Sequence, residues 1–234
     1  MIMKNITKLI SALVLVSFTV LYVSGQTLKE RIDEAKTVKV YFKFSPIKHN
    51  PNTQPPIGSN MPGTGCEAFG ETTPLPTEYT DAVNGLLEIL NKGFNTTAFV
   101  AGDFSAVPAK TSGILKGEPD WVTLNEPLMF FVSTWGEYVV TMTQTGKQDN
   151  MKIESYLIIY ALKDGKIKIL DQKSLASKWA EPIKTQKCDD FAFFTGHFVA
   201  NSLAEPFKTA LTENINELIQ KDMKKYEKAM SKKK

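Results

Sequence analysis

Histidine and cysteine are scarce in this chain, two of each in 234 residues, and the scarcity narrows its chemistry at once. His49 and His197 are too few for most protein metal centres, and no HExxH, paired CxxC or carboxylate cluster at ligand spacing accompanies them. Neither a metal nor a cofactor is therefore expected. A GxSxG elbow is missing too, so no serine is marked as a nucleophile. Gly63-Thr64-Gly65 is too short and wrongly placed to cradle a phosphate. No basic stripe interleaved with aromatics runs along the chain, which leaves nucleic acid without a footprint.

The two cysteines, Cys66 and Cys188, read most simply as one disulfide if the protein is exported. Closing a loop of about 120 residues would constrain the unfolded chain by roughly 5 kcal/mol on the chain-entropy account. The competing reading is a free nucleophile at Cys188, with His197 nine residues on. Asp189 and Asp190 argue against it, because adjacent carboxylates raise a thiol pKa and suppress the thiolate.

Export itself is read from the first 25 residues. Lys4 and Lys8 precede an apolar run, Leu9 to Val23, that ends in the small residues of Val23-Ser24-Gly25. A positive head, a short apolar body and small residues at the end are the parts of a secretory signal peptide. The run is shorter than the ~20 residues of a spanning helix, so residues 26–234 are expected to carry no integral membrane span, in the periplasm or outside the cell. An uncleaved N-terminal anchor is the alternative. No cysteine follows the run to accept a bacterial lipid. Loss of Lys4 and Lys8 would lower the formal charge of +3 by two. What remains is uneven: residues 221–234 hold seven lysines against Asp222 and Glu227. Such a tail can meet an anionic partner, or serve as a solvated helix end whose cations suit the dipole.

The clearest fold signal is Met151 to Asp171, where Asp164-Gly165 is the pair that a type I′ hairpin asks for. Closing there sets Leu162 opposite Ile167, Tyr160 opposite Ile169 and Ile158 opposite Asp171. One face then gathers Tyr156, Ile158, Tyr160 and Leu162, and Leu157 and Ile159 make the middle of the first strand apolar on the other face as well. Lys152 and Glu154 interrupt the pattern and predict a bulge near Ser155, or a strand end projecting past its cover. Upstream, Thr27–Lys36 reads as a short helix, and Thr37–Ser45 alternates as a strand with Val38, Val40, Phe42 and Phe44 inward. Residues 46–76 hold seven of the twelve prolines, and neither helix nor regular sheet is expected there. Residues 77–92 carry the helical stripe Tyr79, Val83, Leu86, Leu87 and Leu90, with Gly93 as C-cap. Thr97–Gly102 reads as a buried strand and completes a β-α-β crossover.

Irregular chain follows to Pro127, then the unbroken apolar strand Leu128–Val132 and the alternating strand Glu137–Gln144. Trp135-Gly136 between them predicts a tight turn or a glycine bulge, and Thr145–Asn150 a turn. Trp179, Phe191, Phe193 and Phe194 are expected to pack. Ser202 and Glu205 have capping-box spacing before a last helix whose stripe is Phe207, Leu211, Ile215, Leu218 and Ile219. That stripe is the expected cover for Tyr156 and Tyr160. The whole predicts an α/β (α+β) fold: one domain with a single mixed sheet, a β-α-β crossover, antiparallel hairpins and a C-terminal covering helix.

This order of elements, from TVKVYFKFS through TDAVNGLLEILNK and TAFVAG to YLIIYALKDGKIKIL and the last helix, resembles a bacterial envelope group. The group includes the penicillin-binding-protein activators and the curli secretion lipoprotein. The resemblance covers about Thr37 to Tyr226 and is one of pattern; no binding or catalytic motif is matched. The missing lipid-attachment cysteine and the proline-rich insertion depart from it. It implies a non-enzymatic adaptor or assembly module whose partner is another envelope protein. Two further readings stay open: a secreted hydrolase with a cleft framed by residues 46–76, and a small-ligand carrier. His49, Trp121, Trp135, Tyr138 and His197 are the candidate binding surface.

Overall fold

The computed structural model of the protein describes residues 26–49, 72–143, 146–179, 183–185 and 203–232. Its first element, α1 (Leu28–Ala35), is started by a full capping box: the Thr27 hydroxyl accepts the Glu30 N–H, and the Glu30 carboxylate accepts the Thr27 N–H. The alternating strand follows as β1 (Val38–Phe44). Pro46 has no N–H to give a ladder, and β1 breaks there before resuming as β2 (Ile47–His49); both run parallel to the same neighbour. β3 (Thr72–Thr73) pairs back on β2. The two ends of the proline-rich insertion are thus regular sheet, against expectation, because Ile47 is fully buried and anchors the near end.

The helical stripe at 77–92 forms two consecutive helices, α2 (Thr77–Asn84) and α3 (Leu86–Gly93), meeting at Gly85. Gly93 does not cap. It is the last helical residue, and a Cβ there would lie 2.6 Å from Ile219 Cδ1. Its smallness admits the last helix, and the left-handed residue is Asn95 (φ 48°). β4 (Phe99–Gly102) then pairs parallel with β1, which completes the crossover. It is an edge strand, so Val100 is 40% exposed rather than buried.

β5 (Leu128–Thr143) lies at the centre, parallel to β1 and antiparallel to β6 (Gly146–Lys163). The β5–β6 ladder is continuous from Leu128 opposite Ala161 to Thr143 opposite Gly146. It passes through Trp135-Gly136 with neither turn nor bulge, and through most of 145–150, where a turn was expected. Gly136 serves a close approach: a Cβ would meet Ile47 Cγ1 and Ile153 Cδ1 at 2.7 Å. β7 (Lys166–Trp179) and β8 (Ile183–Thr185) both pair with β6. One mixed sheet results, ordered β4-β1-β5-β6-β7 at one end and β3-β2-β5-β6-β8 at the other.

Asp164 and Gly165 both take positive φ, 52° and 69°, as a type I′ turn requires. Leu162 faces Ile167 and Tyr160 faces Ile169 as read, but Leu170 is then extra, so Ile159 and not Ile158 faces Asp171. The second register shift falls at Ser155/Tyr156, where a bulge was anticipated; the extra residue is Leu175 of β7.

The last helix, α4 (Ala204–Ser231), begins with Leu203 at the cap position, and Ser202 of the expected capping box lies outside the described residues. Its whole expected stripe is buried. The face it covers is the other one: Phe207, Leu211, Ile215 and Ile219 join Leu157, Ile159, Leu175 and Ala176 in the main core. All four described helices lie on that side. Tyr160 belongs to a separate cluster across the sheet. Because β6 is apolar on both faces there, a one-residue difference in parity decides which face the helix takes.

No described helix is long and apolar enough to cross a membrane.

Candidate functional site

Away from the helices, the segment between β4 and β5 is what covers the sheet's second face among the described residues, and it does so at one end. Asp103 starts a 3-10 turn at Phe104–Ala106, its carboxylate accepting the Ser105 N–H and hydroxyl; those bonds hold its pKa below the usual range. A second 3-10 turn, Trp121–Leu124, lays the Trp121 ring against Tyr41, Phe131 and Tyr160 at centroid distances of 5.4, 5.1 and 5.4 Å. Phe104 stacks on Phe131 at 5.5 Å, and Lys43 Nζ lies 5.9 Å above the Phe104 ring. Met129 is fully buried beneath. Burial raises the Tyr41 and Tyr160 pKa values, and the Trp121 indole, hydrogen-bonded to Tyr160, pulls slightly the other way. At the margin Lys39 pairs with Glu126 at 2.7 Å, and that hydrogen bond is the main reason its pKa is raised.

Further along the same face the aromatic cover stops. Cross-strand pairing sets out two rows: Trp135, Glu154 and Ser177, then Glu137, Lys152 and Trp179. Ser133 and Tyr156 form the row before them. Trp135 and Tyr156 are partly buried, and Trp179 is 55% exposed. Lys152 bridges the rows: Nζ contacts the Glu154 carboxylate at 2.8 Å and sits 5.2 Å over the Trp179 ring. The Ser177 hydroxyl donates to the same carboxylate at 3.1 Å. The arrangement sets aromatic surface among paired charges.

The candidate binding residues are only partly brought together. Trp121 and Tyr138 are 7% and 3% exposed and belong to opposite faces, so they line no common groove. Large aromatic side chains found core space on either side of a sheet packed on both. Trp135 shares a face with Trp121, one end apart. His49 ends β2 with its backbone opposite Tyr138. His197, Cys66 and Cys188, together with Phe191, Phe193 and Phe194, lie outside the described residues. Trp179, expected to pack, is instead the most exposed ring of the open face. Tyr156, Lys152 and Glu154 were not among the candidate binding residues, although the polar break at Lys152 and Glu154 had already suggested a strand end projecting past its cover. Among the described residues no three His, Cys, Asp or Glu side chains converge on a common point.

A second feature lies on the helical side. A groove of about 540 Å³ runs between the start of α1, β7 and the outer flank of α4. Arg31, Lys168, Lys173, Lys221 and Lys225 stand along it, over a floor that includes Leu170 and Leu218.

No protein-family profile and no curated protein matches the chain. Solved structures resemble it in outline. One, from Helicobacter pylori and described as a neuraminyllactose-binding hemagglutinin homolog, has a TM-score of 0.32 at 11% identity, over 84% of this chain and 90% of its own. A hypothetical protein of Chlamydia trachomatis has a TM-score of 0.33 at 9% identity, over 78% of this chain and 98% of its own. At these scores neither likeness carries an argument about function.

Proposed function

We propose that the chain is an exported, non-catalytic binding or assembly module of a bacterial cell envelope that holds its partner on the open sheet face. One observation carries the reading: Trp179 is 55% exposed on the sheet face that it shares with the partly buried Trp135 and Tyr156. An exposed tryptophan offers a large apolar area with a polar handle, which suits a contact surface. The Lys152–Glu154 pair supplies the polar surround without a net charge. Lys4, Lys8 and the apolar run Leu9–Val23 support export. The resemblance in element order to the penicillin-binding-protein activators and the curli secretion lipoprotein supports an adaptor whose partner is another envelope protein. Affinity capture from bacterial envelope extract tests it, with wild type against Trp179→Ala and Trp135→Ala. A specific partner recovered by wild type and reduced about tenfold or more by either variant is the expected result. Recovery indifferent to both substitutions, or turnover on a panel of hydrolase substrates, would overturn the reading.

A further inference from the structure

The groove beside α4 gathers more cations than its ion pairs use. Its acids are all engaged. Both Asp222 carboxylate oxygens accept backbone N–H groups at the start of α1, from Leu28 at 2.9 Å and Lys29 at 2.8 Å. Glu217 holds Lys173, and Asp171 accepts the N–H of its own neighbour Gln172 at 2.8 Å. Among the described residues Lys168, Lys221 and Lys225 make no ion pair, although the Lys221 charge is felt by Glu217 one turn away.

Lys221 and Lys225 stand one helical turn apart on α4, and Lys168 faces them from β7 across the same groove. Like charges at that helical spacing are mutually unfavourable. The concave shape of the groove concentrates their field further. Three ammonium groups around one cleft are suited to a multiply charged oxyanion, which lysine binds as a point charge. The volume lies within the ~300–1,000 Å³ span of small-molecule sites, well beyond a bare inorganic ion.

We infer that this groove binds a phosphate ester: the phosphate of a soluble small molecule or of a lipid headgroup, held by Lys168, Lys221 and Lys225. The inference concerns the opposite side of the sheet from the proposed partner surface and does not depend on that reading.

The test uses the protein purified as the cell produces it. One arm titrates sn-glycerol 3-phosphate by calorimetry. The other measures co-sedimentation with equimolar phosphatidylglycerol and phosphatidylcholine vesicles, against phosphatidylcholine alone. Each is repeated with the triple variant Lys168→Gln/Lys221→Gln/Lys225→Gln. A control triple, Lys92→Gln/Lys116→Gln/Lys208→Gln, makes the same charge change at exposed lysines outside the groove. The expected result is binding in at least one arm, weakened about tenfold or more by the groove triple and little by the control. Binding of glycerol phosphate assigns a soluble ligand; binding confined to the anionic vesicles assigns a headgroup. Absence of binding in both arms, or equal loss with the two triples, overturns the inference.

Discussion

The Asn91 side chain on α3 closes both hydrogen bonds of one β4 residue. Its amide NH2 donates to the Phe99 carbonyl and its oxygen accepts the Phe99 N–H, each at 3.0 Å. Because Ala98 turns its carbonyl to β1, Phe99 points its backbone groups outward, to where a neighbouring strand would lie. Asn91 takes that strand's place. Asn91→Ala would leave a partly buried N–H and C=O without protein partners, and is expected to lower stability by about 1–3 kcal/mol. A urea melt checks it: the midpoint should fall with the slope unchanged. An unmoved midpoint would mean that water serves Phe99 equally well. Gly93 and Gly136 are the other residues on which the packing turns, since each is small for a neighbour's isoleucine and neither has an unusual φ.

Between elements, the tie that spans most of the chain is the one from α4 to α1. Asp222 lies 194 residues from Leu28, yet its carboxylate caps the helix that Thr27 and Glu30 already cap from within. Unsatisfied N–H groups at a helix start favour an anion on charge as well as on hydrogen bonding. Asp222→Ala should therefore cost about 1–2 kcal/mol. The loss should appear as faster amide exchange at Leu28 and Lys29, and unchanged exchange there would show that the internal box suffices. At the opposite margin β7 presents a 14-residue edge. Two register shifts and the lysines at 166, 168, 173 and 178 make it a poor template for another strand.

For the molecule as a whole, the phenols of Tyr41, Tyr79 and Tyr160 make stability sensitive to alkali. Each has its pKa raised, in each case chiefly by burial, and at Tyr79 the charge of Glu78 adds to it. A raised folded-state value means that the unfolded chain loses its proton first. Their contribution is complete below the unfolded value near 10 and is lost as pH rises from there through the higher folded values. Melting temperatures are expected to fall above about pH 10, less steeply in Tyr79→Phe. A melting temperature flat through the alkaline range would contradict this account.

Several features needed only the local pattern. The Asp164-Gly165 turn, the parallel β1–β4 pair across a helical crossover, and the buried stripe of α4 all follow from positive φ, periods of two and 3.6, and short connections. The break at Lys152 and Glu154 was legible as a strand end that outruns its cover: both share a face with Ile158, and the bulge beside Ser155 lies in β7, at Leu175, and leaves the alternation of β6 unchanged. Tertiary structure decided the rest. Leu157 and Ile159 are as apolar as Tyr156, Ile158 and Tyr160, so β6 itself does not say which side α4 will cover. That choice rests on Gly93 and Gly136 admitting Ile219 and Ile47 from the main-core side, while Trp121 fills the other. The candidate site was less legible for the same reason: an aromatic such as Trp121, Tyr138 or Trp179 reads alike in a core or on a surface. Arg31, Lys168 and Lys221 meet only once three distant segments have packed, because burial and charge proximity are properties of the assembled molecule.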